Sequence, residues 1–85
     1  MQIEEFIILD LSGLNCPLPV LKTKKFLATL NVGDKVKVIT TDPASYVDLQ
    51  TFCSKTGHIL LYQAHETTNL DNLTKIITII QKYLT

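Results

Sequence analysis

At 85 residues, with 46% hydrophobic and 19% charged side chains, the chain has room for one domain and lacks the bias of a disordered or fibrous segment. Its net charge is zero, from eight lysines and eight acids, and it has no arginine, the residue that best fits phosphates and guanine edges. Direct nucleic-acid binding is therefore not expected. Two cysteines cannot make a disulfide scaffold, no apolar stretch reaches membrane-spanning length, and the acidic start lacks a secretory leader's pattern, so a reducing cytoplasm is the expected setting.

In chain order, Phe6-Ile7-Ile8-Leu9-Asp10-Leu11 is rich in β-branched and aromatic residues and reads as a strand, with Ile7, Leu9 and Leu11 on one face. Ser12-Gly13 turns the chain into Leu14-Asn15-Cys16-Pro17-Leu18-Pro19, where a cysteine directly precedes a proline and a second proline follows two residues on. Proline suits the first helical turn, because its φ is preset and its missing N–H would be unpaired there. A helix is predicted over about 17–30, buried through Val20, Leu21, Leu27, Ala28 and Leu30, with Leu18, Lys22, Lys25 and Thr29 on the opposite side. Cys16 thus sits at the helix start, where the dipole favours a thiolate. The two prolines leave Leu18 as the only amide donor among positions 17–19, so only a modest lowering of the thiol pKa is expected.

Beyond the Gly33-Asp34 turn, Lys35-Val36-Lys37-Val38-Ile39-Thr40 alternates polar and apolar residues and predicts a half-buried strand. Thr41-Asp42-Pro43 reads as a helix start with Asp42 as cap. The helix continues to about Thr56 with Leu49, Phe52 and Cys53 on one face, and Gly57 stops it. A strand is expected over 58–64 and a polar loop over 66–72. The remaining segment is ambiguous: Leu73, Ile76, Ile77, Ile80 and Leu84 fit helical spacing, whereas the run of Thr and Ile from 74 to 80 favours a strand.

Leu9-Asp10, Gly13-Leu14, Cys16-Pro17-Leu18-Pro19-Val20, Gly33, Asp42-Pro43-Ala44, Asp48, Phe52-Cys53 and Gly57-His58 follow one another over about residues 8 to 65. In this ordered set the chain resembles the TusA/SirA-like small sulfur carriers, marked by a Cys-Pro-x-Pro motif. The resemblance implies a two-layer α/β sandwich over residues 1–85, of order βαβαββ, with a four-stranded mixed sheet and two helices on one face. It assigns about 74–83 to a fourth strand, with Lys82 near the family's terminal basic position.

The resemblance also implies a carrier without cofactor rather than a stand-alone enzyme. Cys16 would take sulfur as a persulfide from a cysteine desulfurase and pass it to a downstream sulfur-accepting protein, with Pro17 and Pro19 as its frame. The best known such relay ends in 2-thiolation of tRNA wobble uridine; others serve molybdenum-cofactor enzymes, sulfur oxidation or selenium metabolism. Here Leu18 stands where the tRNA-thiolation carrier has an acidic residue, and Asn15 where it has a basic one.

Lys22 and Lys25 lie about one and two turns below Cys16 on the exposed helix side, beside Leu18, and two readings are open: an ordinary solvated helix face, or a surface that docks an acidic partner protein through Leu18 and the lysines. A monomer is expected. Cys53, beside Phe52, is expected in the core rather than as a redox partner of Cys16. His58 and His65 fall on opposite faces of a regular strand, which argues against a shared metal site, and no general base adjoins Cys16 in sequence. Two other readings stay open: a thiol redox sensor or regulator pairing Cys16 with Cys53, and an RNA- or protein-interaction module without sulfur transfer.

Overall fold

The computed structural model describes residues 6–67 and 74–83. Along the chain come β1 (Ile7–Asp10), α1 (Leu18–Ala28), β2 (Lys35–Thr40), α2 (Ser45–Thr56), β3 (Ile59–Thr67) and β4 (Thr74–Gln81). The four strands form one sheet in the order β1-β2-β4-β3. β1 runs parallel to β2, and β4 lies antiparallel between β2 and β3, so the sheet is mixed, as expected.

The alternation of β2 places Val36, Val38 and Thr40 on its fully buried face. There Val36 and Val38 join Leu11, Ile80, Leu27 of α1 and Leu49, Phe52 and Cys53 of α2 in one hydrophobic cluster, so both helices cover the same face of the sheet. Burying such side chains is the main favourable term holding a chain of this size together.

Strand β4 resolves the ambiguity of the last segment. As an inner strand it buries Ile76, Thr78 and Ile80 on the helix side, and also Ile77, whose cross-strand neighbours are Ile39 and Ala64. A strand buried on both faces loses its alternation and imitates helical spacing. Strand β3 runs to Thr67, past the 64 expected, and from 68 onward the expected polar loop lies outside the described residues.

Helix α1 departs from its expected stripe. Its fully buried residues are Pro19, Thr23 and Leu27, with Val20, Phe26 and Leu30 packed against the core. Leu21 is 50% exposed and Ala28 is exposed. Counting hydrophobic residues favoured Leu21 over Thr23, which shares the face of Pro19 and Leu27 at i+4 spacing. The helix ends at Ala28 rather than near 30, because the N–H groups of Thr29 and Leu30 bond to Phe26 and Leu27, three residues back, and tighten the last turn. The Nζ of Lys82 then reaches the Leu30 carbonyl at 2.6 Å and ties this end to β4. Helix α2 stops as expected: Gly57 adopts a left-handed φ of 88° and donates its N–H to the Cys53 carbonyl at 2.9 Å.

Candidate functional site

Because β1 and β2 are parallel, the loops leading into α1 and α2 leave the sheet side by side, the position where α/β folds commonly build sites. Hydrogen bonds within and between these loops fix their shape. One Asp10 oxygen accepts the Ser12 N–H at 3.0 Å and the Ser12 hydroxyl at 2.6 Å, and these bonds hold the carboxyl below its ordinary pKa. The Gly13 N–H donates to Thr41 Oγ1 at 2.8 Å, and the Cys16 N–H donates to Asp42 Oδ2 at 2.6 Å.

Asp42 was expected to cap α2. Its other oxygen does accept the Ala44 N–H at 3.1 Å, but the helix begins at Ser45 with Ala44 in the cap position. A short turn intervenes, closed by the Ser45 N–H and hydroxyl on the Asp42 carbonyl. The carboxylate is thereby left to anchor the backbone of Cys16, a contact 26 residues away in sequence.

Cys16 is free and exposed, two residues before α1, and the Cys16–Pro17 peptide bond is cis. Pro17 occupies the cap position without a side-chain cap bond, and Pro19 is buried against the core side. The Leu18 N–H is taken by the Asn15 carbonyl at 2.9 Å, so no amide of positions 17–19 is left for the sulfur. Its surroundings are acidic instead. The Asp48 carboxylate on the facing helix raises the thiol pKa, with desolvation and the charge of Asp42 acting in the same direction. The expected lowering is thus corrected: neighbouring carboxylates outweigh a helix end whose amides are missing or bonded.

Between α1 and α2 runs a furrow of about 470 Å³, with Cys16 and Pro17 at one end. Val20, Leu21 and Lys24 line it from α1; Asp48, Thr51, Phe52, Lys55 and Thr56 line it from α2. Leu18, Lys22 and Lys25 are brought together, but on an adjoining hollow shared with Leu21, Lys24 and Ala28. The lysines of the cysteine furrow are therefore Lys24 and Lys55. Sequence reasoning passed over both, and met Asp48 only as a position of the family pattern.

Cys53 lies in the core, 4% exposed, and burial pushes its thiol up to about 11. His58 and His65 share the helix side of the sheet, contrary to expectation. A bulge between Leu60 and Tyr62 shifts the alternation by one residue. As a result His65 stacks on Tyr46 of α2 with ring centroids 4.7 Å apart, while His58 lies against Phe52 and accepts the Tyr83 N–H at 3.2 Å. Burial, with a smaller push from Lys82, lowers the His58 pKa. No group of three or more potential metal ligands occurs among the described residues.

The fold and site together define a two-layer α/β domain that presents one accessible cysteine beside a helix start. The architecture is similar to the crystal structure of a SirA-like protein from Desulfitobacterium hafniense, with a TM-score of 0.66 and 29% identity over 91% of this chain and 99% of that one. The family model described as Sulfurtransferase TusA matches residues 7–79, and the chain belongs to the TusA family. Relatives include the sulfur carrier protein TusA of Allochromatium vinosum, 47% identical over 68% of this chain and 76% of that protein. That of Pseudomonas putida strain W619 is 46% identical over 69% of this chain and 74% of its own length.

Proposed function

We propose that this chain is a cytoplasmic sulfur carrier that holds a persulfide on Cys16. It receives the outer sulfur from a cysteine desulfurase and passes it to a downstream sulfur-accepting protein. The observation that carries this reading is a free, exposed cysteine at the mouth of the α1–α2 furrow in a chain of the TusA family. A sulfur relay needs such a cysteine, because each transfer requires the sulfur to meet a second protein's thiol at close range.

Pro17 and Pro19 frame the cysteine on this reading, and Leu18, Lys22 and Lys25 form part of the surface that meets the partner. Leu18 is 41% exposed on the hollow that also holds Lys22 and Lys25, a combination suited to an acidic partner with an apolar contact. The carrier works as a monomeric cosubstrate, without a cofactor of its own. Thiolation of tRNA wobble uridine is one relay it would feed, with Leu18 and Asn15 beside the sulfur as the residues that distinguish its acceptor.

Incubation with a cysteine desulfurase and cysteine, followed by intact mass measurement, tests the reading. Wild type gains one sulfur atom, which reduction removes, and Cys16→Ser gains none. A wild type that gains no sulfur from any of several desulfurases refutes it.

A further inference from the structure

A second cavity, of about 330 Å³, lies between the C-terminal turns of α1 and α2 and shares Lys24, Phe52 and Thr56 with the cysteine furrow. Leu27, Ala28, His58 and Lys82 complete its lining, and no carboxylate is among them. Lys82 is only 7% exposed. Its backbone is clamped, with its N–H donating to the Asp34 carbonyl at 2.8 Å and its carbonyl accepting the Gly33 N–H at 2.7 Å. Its ammonium has three protons to donate and spends one on the Leu30 carbonyl at 2.6 Å. No carboxylate among the described residues pairs with it. The carbonyl end of α1 offsets part of this charge. An ammonium taken out of water with one neutral acceptor is nevertheless a costly arrangement, which an anion in the cavity would relieve.

His58 supplies a second donor. Its Nδ1 accepts the Tyr83 N–H at 3.2 Å, which assigns the ring proton to Nε2. Burial, and then the Lys82 charge, lowers its pKa, so at neutral pH it meets a ligand as a neutral donor. The Thr56 hydroxyl is already spent on the Phe52 carbonyl at 2.7 Å. Lys24 adds an exposed cation. A largely apolar cavity of this size with a few polar groups facing it is the usual form of a small-ligand site. We propose that this cavity binds a small organic anion, with Lys82, His58 and Lys24 meeting its carboxylate or phosphate oxygens and Phe52 and Leu27 its apolar part. The site is separate from the chemistry of Cys16 and does not rest on the sulfur-carrier reading. A helix-capping role explains the one bond that the Lys82 ammonium makes, but not the acid-free, donor-lined cavity beside it.

Amide NMR of the isotope-labelled full chain tests this, with benzoate and phenyl phosphate titrated in at constant ionic strength. Saturable shifts are expected at Thr56, His58 and Tyr83, with Ile8 of β1 and Lys37 of β2 unmoved. The tighter of the two probes names the oxyanion. Benzylamine, which carries a similar ring and the opposite charge, is expected not to bind. Lys82→Met should weaken the tighter probe by about tenfold or more, through loss of a charged donor. Because that variant also loses the Leu30 bond, Lys24→Gln provides a second reading at an exposed position and should weaken binding by about threefold. Circular dichroism confirms that each variant keeps the wild-type fold, and Lys24→Gln alone decides if Lys82→Met does not. Shifts that never saturate with either anion overturn the proposal. So does benzylamine binding as tightly as benzoate, or an affinity unchanged in every variant that folds.

Discussion

Cys16 and Cys53 are both free thiols pushed above the ordinary cysteine pKa, but by different means. At Cys53 the cause is burial among Leu49, Phe52 and their neighbours, and nothing short of opening the core removes it. At Cys16 the first cause is the Asp48 carboxylate on an open furrow, followed by desolvation and nearby charge. A docking partner or a single substitution can change that setting without disturbing the core. Reactivity is thus adjustable at one cysteine and locked at the other, and the fold achieves this by placing one on a loop at the sheet's end and the other inside a helix.

The comparison breaks most severely if the core is opened. Leu49 is fully buried in the cluster that holds Cys53, and Leu49→Ala is expected to cost about 3 kcal/mol by urea or thermal unfolding. Native-state alkylation of Cys53 should rise in that variant, while Cys16 keeps its wild-type rate. A Cys53 that stays as protected as before would show that burial is not what silences it.

A smaller loss comes from alkaline pH. The Cys53 thiol ionises at about 11 in the folded chain and at the ordinary, lower value in the unfolded one. Its contribution is fully present below the ordinary thiol pKa and is lost as pH rises from there toward 11. Thermal melts across that window should therefore fall more steeply for wild type than for Cys53→Ala. Parallel curves would remove burial of this thiol from the account.

On the other side of the comparison, Asp42→Ala removes the acceptors of the Cys16 and Ala44 N–H groups. It should cost about 1 kcal/mol in unfolding experiments and slow sulfur loading, with Cys53 as inert as before. Loading at the wild-type rate would mean that this anchor does not position the cysteine. The smallest expected effect sharpens the separation from within α1. Thr23 is fully buried, and its hydroxyl has no hydrogen-bond partner among the described residues. Thr23→Val should raise stability by up to about 1 kcal/mol, leaving the pH profile of Cys16 alkylation unchanged. A shifted profile would couple the helix core to the cysteine.

Much of the fold could be read from local pattern, because the Lys35–Thr40 alternation, the Gly57 stop and the prolines at 17 and 19 each act within a few residues. Local pattern was ambiguous or misleading where the deciding neighbour lay elsewhere. Strand β4 is an inner strand, so its character depends on β2 and β3 beside it. The side of the sheet that His65 occupies depends on a bulge that no residue between 58 and 65 announces. At the site, Cys16 stood out because its motif is contiguous. The two carboxylates that set its environment come from Asp42 and Asp48, on the far side of α1 and β2 in sequence, and only the pairing of parallel strands brings them back to it. That is why the expected pKa shift had the wrong sign: the local helix start was visible and the distant acids were not.

The most direct test of the account is to load the wild-type chain with sulfur from a cysteine desulfurase, cap it, digest it, and locate the added sulfur by mass. The account predicts the extra sulfur on the peptide containing Cys16, with the Cys53 peptide unmodified. Sulfur on Cys53, or on neither peptide, would contradict it.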